Sequence, residues 1–105
     1  MTNKRLVLTT ASSQEEARRL AKALVERRLA ACVNIVPNMN SVFRWKEKVE
    51  ESHEFLLLMK TTESVVPKLR EAIQELHSYD VPECIVLPIE EGSAAYLDWI
   101  DESVT

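Results

Sequence analysis

Glycine is nearly missing from this chain: Gly92 is the one glycine in 105 residues. A single glycine cannot build a loop whose backbone amides cradle a phosphate, so nucleotide-binding motifs of that kind are excluded. Fewer glycines also leave less unfolded-state entropy to lose, worth about 0.4–1 kcal/mol per tolerant site. Cysteine is scarce as well. Two cysteines, Cys32 and Cys84, make no disulfide framework, and free thiols in a reducing compartment are expected. No apolar run approaches the roughly 20 residues that span a bilayer. After Met1-Thr2-Asn3-Lys4-Arg5 only Leu6 to Leu8 are apolar, far short of a secretory h-region, so a cytoplasmic location without membrane association is expected. Thirteen basic residues are scattered among seventeen acidic ones, for a net charge of −4. A nucleic-acid binder would show a basic stripe, and none is present. No serine–histidine–aspartate order or conspicuous carboxylate pair points to an enzyme.

Hydrophobic residues make up 46% of the chain, enough to fill a core, and the length suits one domain over residues 1–105. Lys4 to Thr10 reads as a strand. Ser12 and Ser13, each followed three residues on by a glutamate (Glu15, Glu16), offer two overlapping capping boxes. Ala17, Leu20, Ala21, Leu24 and Val25 then recur at helical spacing. Ala31 to Val36 reads as a second strand. Val42 to Trp45 and Val49 to Thr61 read as further strands around a polar turn at Lys46-Glu47-Lys48. Ser64 is placed to cap a second helix, with Pro67 in its first turn and Val66, Leu69, Ile73 and Leu76 on one face. Cys84 to Leu87 is the last strand, and a short helix starts at Ser93. The order is the α+β, ferredoxin-like βαββαβ antiparallel pattern with an added C-terminal helix.

In such a fold the helices cover one face of the sheet, and a solvated second face should alternate polar with apolar residues. Phe55-Leu56-Leu57-Leu58-Met59 and Ile85-Val86-Leu87 do not alternate. Something outside the chain must cover the second face, and another copy of the chain is the economical choice.

Two stretches carry most of the remaining information: Ala30 to Pro37, AACVNIVP, and His77 to Pro88, HSYDVPECIVLP. Each ends in a short apolar run closed by a proline and carries polar residues of a ligand-binding kind. With Ser41, Trp45, Lys60-Thr61-Thr62, Leu87-Pro88-Ile89 and Tyr96-Leu97-x-Trp99-Ile100, they resemble the CutA family of divalent-cation tolerance proteins over nearly the whole chain. The resemblance implies the ferredoxin-like fold and a homotrimer whose sheets pack edge to edge and face to face.

The resemblance also bears on the candidate site residues. His77, with Asp80 three residues on, could hold a metal, or it could simply end its helix. The family links a histidine at this place with copper. Cys32 offers a soft thiolate, although its small-residue strand is first of all the setting of a buried core thiol. Some relatives carry another cysteine near the end of the first strand, where Thr9 and Thr10 stand here. Trp45, Glu54, Lys60, Tyr79, Glu83 and Trp99 match the family's cleft at the subunit boundary, suited to a small ligand or a metal complex. Glu47 replaces the glycine usual in the family's hairpin, which suggests a turn without positive φ.

The expectation is therefore a trimeric, non-enzymatic divalent-cation tolerance protein that binds copper or another divalent ion, with no organic cofactor evident in the sequence. The alternatives are a regulatory trimer binding a small ligand, like the nitrogen-signalling proteins of similar architecture, and a scaffold, as animal relatives linked to anchoring acetylcholinesterase would suggest.

Overall fold

A computed structural model describes residues 2–104. The elements run β1 (Lys4–Ala11), α1 (Gln14–Glu26), β2 (Cys32–Trp45), β3 (Lys48–Thr62), α2 (Val66–Leu76), β4 (Ile85–Pro88) and α3 (Ala94–Ser103). One antiparallel sheet of order β2-β3-β1-β4 holds all four strands. This is the expected βαββαβ arrangement plus a C-terminal helix.

The helices lie on the face that carries Val7, Thr9 and Ala11 of β1 and Leu57 and Met59 of β3, all buried. Leu24, Leu69, Ile73 and Ile100 complete the main core, and Leu20 and Ala17 of α1 close a second cluster over Leu57 and Ala11. Lys4 reaches back to hold α3 through its Nζ, 2.8 Å from Asp101 Oδ2. Among the described residues Thr9 Oγ1 is a buried side-chain oxygen without a hydrogen-bond partner.

Two helix ends differ in how far their capping was legible. At α1 the two overlapping boxes merge into one. Ser13 Oγ accepts from the Glu16 amide at 3.1 Å, while Glu16 Oε1 accepts from the Ser12 amide at 3.4 Å. At α2 the expected Ser64 cap is not made. Val65 is the N-cap without a side-chain bond, and Ser64 Oγ lies 3.4 Å from Thr62 Oγ1 instead. Pro67 does fall in the first turn, where its missing N–H costs little.

β2 is one strand of fourteen residues, where the residue pattern suggested two. It passes through Pro37 because it lies at the sheet edge, where a proline needs to donate no ladder bond. The register shifts between Val36 and Met39, and Asn38 takes φ 61° there. This bulge changes which residues share a face. Before it Cys32, Asn34 and Val36 stand opposite Lys60, Leu58 and Leu56; after it Met39, Phe43 and Trp45 stand opposite Glu54, Glu50 and Lys48. Cross-strand partners point to the same side, so the uncovered face runs unbroken from Cys32 to Trp45.

That face is apolar along the sheet. Leu6, Leu8, Leu56 and Leu58 are half-buried, and Val36, Ile85, Leu87, Phe43 and Trp45 are exposed. The two-faced apolar strands noted in the sequence thus leave an uncovered hydrophobic surface on the single chain.

The hairpin turn overturns an expectation. Trp45 pairs with Lys48, so the connection has two residues, and both take positive φ: Lys46 50° and Glu47 66°. A two-residue loop must match the right-handed twist of its strands, which favours a type I′ turn whatever the residues. Lys46 offsets part of the strain by holding its ammonium 5.9 Å over the Trp45 ring. We expect the Lys46→Asn, Glu47→Gly double variant to be more stable by about 1–2 kcal/mol, since both new residues tolerate this backbone. Urea unfolding of the two proteins checks it, and an unchanged or lower midpoint would contradict the strain.

Candidate functional site

The C-terminal end of α2 is where the polar residues converge. His77 is the C-cap of α2, and its amide donates to Ile73 O. Its side chain has no exposed surface and lies 3.6 Å, through Nδ1, from Glu16 Oε2. The ring nitrogens are both engaged. Nδ1 accepts from the Tyr79 amide at 3.0 Å, and Nε2 is 2.6 Å from the Thr10 carbonyl oxygen. An amide always donates and a carbonyl always accepts, so the proton sits on Nε2 and the Nδ1 lone pair is used. His77 therefore stitches α2, β1 and the following loop together.

Glu16 completes the stitch from α1. Its Oε2 accepts from the Ser78 amide at 2.8 Å while Oε1 serves Ser12. Burial alone would push its carboxyl up. The hydrogen bonds from Ser78, with a smaller one from Ser12, outweigh that and hold it below the ordinary 4.5. The loop that follows carries Tyr79, whose ring packs 4.6 Å from that of His77. Its hydroxyl donates to Glu54 Oε2 at 2.7 Å. Burial, then the bond to Glu54, push the Tyr79 phenol up to about 12, so it remains a donor throughout the neutral range. Burial, then the charge of Glu54, raise the Glu83 carboxyl as well. Glu54, Tyr79 and Glu83 thus form one polar patch beside the uncovered sheet face.

The other expected cleft residues are elsewhere. Lys60 shares β3 with Glu54 but lies six residues along it, about 20 Å at the usual strand rise. Trp45 sits at the hairpin tip, a similar distance in the other direction, and is 48% exposed. Trp99 is exposed on α3, 5.4 Å from the Tyr96 ring. Core packing explains neither tryptophan in the single chain.

The three expected metal ligands do not converge either. Cys32 opens β2 opposite Lys60, whereas His77 bonds to Thr10, whose partner on β3 is Leu56. Asp80 is exposed, and its backbone oxygen accepts from Gln74 Nε2 at 3.1 Å. Among the described residues no three histidine, cysteine, aspartate or glutamate side chains gather as a metal centre. With its lone pair occupied and its ring enclosed, His77 does not fit a metal in the folded single chain. Both cysteines are free, and burial pushes the Cys84 thiol up. Glu16 was the functional neighbour missed in the sequence. It looks like an ordinary capping-box glutamate there, and only the fold brings Ser78 and His77 to its second oxygen.

The model of the CutA1 divalent ion tolerance protein family matches residues 5–103. The divalent-cation tolerance protein CutA of Thermus thermophilus is 56% identical over 98 residues, covering 93% of this chain and 95% of its own length. Protein CutA of mouse is 44% identical over 93 residues, or 89% of this chain, but the chain spans 52% of that relative's length. The solved Thermus thermophilus Cut A1 structure superposes with a TM-score of 0.95 at 54% identity, covering 97% of this chain and 99% of its own.

The Glu16 network makes the stability of the fold depend on pH. A carboxyl held below its unfolded value stabilises the fold fully above about pH 4.5, and that contribution is lost as the pH falls toward the folded value. We expect Glu16→Gln to lower stability at neutral pH by about 1–3 kcal/mol and to flatten the acid limb of the stability curve. Urea midpoints of both proteins across the acid range check this; parallel acid limbs would contradict it.

Proposed function

We propose, from the premise that this chain belongs to the CutA1 divalent ion tolerance family, that it works as a homotrimeric cation-binding protein whose ligand clefts lie between subunits. One observation carries the reading. The chain leaves an apolar sheet face uncovered, and Trp45, the Glu54–Tyr79–Glu83 patch and Lys60 are spaced out along it. Each large side chain fully buried on that face is worth about 1.5–3 kcal/mol. The free edges of the sheet are unlike, the long β2 and the short β4. Edge pairing between unlike strands is head to tail, and head-to-tail contacts that close form rings. A ring brings the Trp45 hairpin tip of one copy and the Lys60 end of another within reach of the Glu54–Tyr79–Glu83 patch.

The cation is a divalent metal ion, copper among them, attracted by the carboxylates of Glu54 and Glu83 at the subunit boundary. His77 supports this patch from behind and is not the ligand in this reading. Cys32 and Asp80 lie outside it. The protein binds rather than catalyses. Its two free thiols suit a reducing compartment such as the cytoplasm, and among the described residues no helix is long and apolar enough to cross a membrane. The Lys60 ammonium favours a second ligand class, a small anion or an anionic metal complex, in the same clefts.

Two measurements test the proposal. Light scattering should return three times the chain mass of 12.0 kDa. A folded monomer at micromolar concentration would defeat it. Calorimetric titration with Cu(II) and Zn(II) should show binding that weakens about tenfold or more in Glu54→Gln, the scale of losing one charged contact. His77→Ala should instead lower the unfolding midpoint, with metal stoichiometry retained in the folded protein. Loss of Cu(II) binding in folded His77→Ala, with Glu54→Gln unaffected, would make the imidazole the ligand. Binding of small anions that depends on Lys60, with no metal binding at all, would favour the regulatory reading.

A further inference from the structure

On the helical side of the sheet, along the β2 edge, lies a hollow of about 300 Å³ lined by Gln14, Arg18, Ile35, Pro37 and Phe55. Its floor is apolar and its rim carries one cation. Arg19 and Arg27 of the same helix each reach a glutamate, whereas Arg18 has no carboxylate partner among the described residues. The loop entering β4, at the opposite edge of the sheet, has the complementary character. Asp80 and Val81 are both exposed, Val81 by 72%. The Asp80 carboxylate has no ion-pair partner among the described residues. Gln74 of α2 donates to the Asp80 carbonyl, which keeps this part of the loop with the helical layer.

Ring symmetry brings the two together, on the premise of the homotrimer proposed above. Apolar sheet faces turn inward and unlike edges pair only if the rotation axis runs along the strands. Rotation about such an axis leaves every residue at its own height. β1 and β2 are each antiparallel to β3, and β4 is antiparallel to β1, so β2 and a neighbour's β4 run in opposite directions. Ile85 pairs with Leu8, Leu8 with Leu58, and Leu58 with Asn34. Ile85 of one copy therefore stands level with Asn34 of the next. The chain just before it, Val81 to Cys84, passes Ile35 to Pro37, at the height of the hollow.

We propose that the Asp80–Val81–Pro82 loop of each copy docks in the hollow between α1 and β2 of the next. Val81 fills the apolar floor, and the Asp80 carboxylate meets the Arg18 guanidinium. An exposed ion pair contributes little by itself. Its worth here is in register and partner choice, because like charges brought together at a closed boundary cost far more than a pair gains. Asp80 directly follows Tyr79, whose hydroxyl donates to Glu54. Docking of the loop in the neighbour's hollow thus also anchors the segment that shapes the Glu54–Tyr79–Glu83 patch, and assembly and ligand cleft become one unit.

The test is a charge-swap cycle on the full chain, read as the rate of subunit exchange between isotope-labelled and unlabelled protein by native mass spectrometry. Arg18→Asp and Asp80→Arg each set like charges against one another and should exchange about tenfold faster than wild type, or fall to folded monomers. The double variant restores an opposite pair and should return as a trimer within about threefold of the wild-type rate. Val81→Asp, which puts a charge on the apolar floor, should also exchange faster. As a direct check, carbodiimide treatment of mixed labelled and unlabelled Arg18→Lys protein should couple position 18 of one copy to Asp80 of another. Should a reversal disturb folding, Val81→Asp and this coupling decide the matter. A trimeric wild type whose single variants exchange at its own rate would leave the hollow to some other ligand and overturn the docking alone. A double variant as fast as the singles would overturn the ion pair. A monomeric wild type would overturn the homotrimer, and the docking with it.

Discussion

Strand β3 is the constraint on which the rest depends. Over Phe55 to Thr62 it is hydrogen-bonded to β1, and from Lys48 to Lys60 to β2. Its register therefore decides two faces at once. Leu57 and Met59 turn to the helices, and Leu56, Leu58 and Lys60 turn to the uncovered side. A slip of one residue would exchange these sets and expose the core. The buried side chains of α1 and α2 pack on that one register, and Lys4 and Asp101 bring α3 to the same layer.

The polar network at the end of α2 is held just as tightly. His77 bonds to β1 through Thr10 and to its own loop through Tyr79, and Glu16 ties the same loop to α1. Buried polar groups are stable only when satisfied, and removing one leaves partners unpaired. This enclosure gives the histidine an architectural role in positioning Tyr79 and Glu54. A metal at His77 would have to displace the Tyr79 amide from Nδ1 first.

Much of the fold was legible because it rests on local patterns. The α1 capping box, the helical spacing of Ala17, Leu20 and Leu24, and Pro67 in the first turn of α2 are short-range features. The uncovered apolar face was legible too, since Leu56 to Met59 fail to alternate. The misreadings have a common cause. The unbroken β2, the positive φ at Lys46 and Glu47, and the unused Ser64 cap each depend on pairing or twist between elements distant in space. A glutamate in a type I′ turn is unfavourable by itself, and the strands around it override that preference.

The site divides along the same line. Residue chemistry marked out Cys32, His77, Tyr79 and Glu83 as polar or reactive groups beside apolar runs, and the family resemblance added Glu54 and Lys60. Which of them meet was a tertiary matter. The register set Cys32 against Lys60 and kept Glu54 some six residues from both. The bulge at Val36–Met39 turned Phe43 and Trp45 onto the sheet face of Leu56, where strict alternation along β2 would have placed Val42. Thus the amino-acid order by itself determined most of the elements, the core face and the apolar character of the uncovered face, because these follow from periodicity and burial of apolar surface. The tertiary structure alone decided that His77 is enclosed and that Glu54, Tyr79 and Glu83 gather while Lys60, Trp45 and Trp99 stand apart, because hydrogen-bond partners and strand register are set by residues far away in the chain.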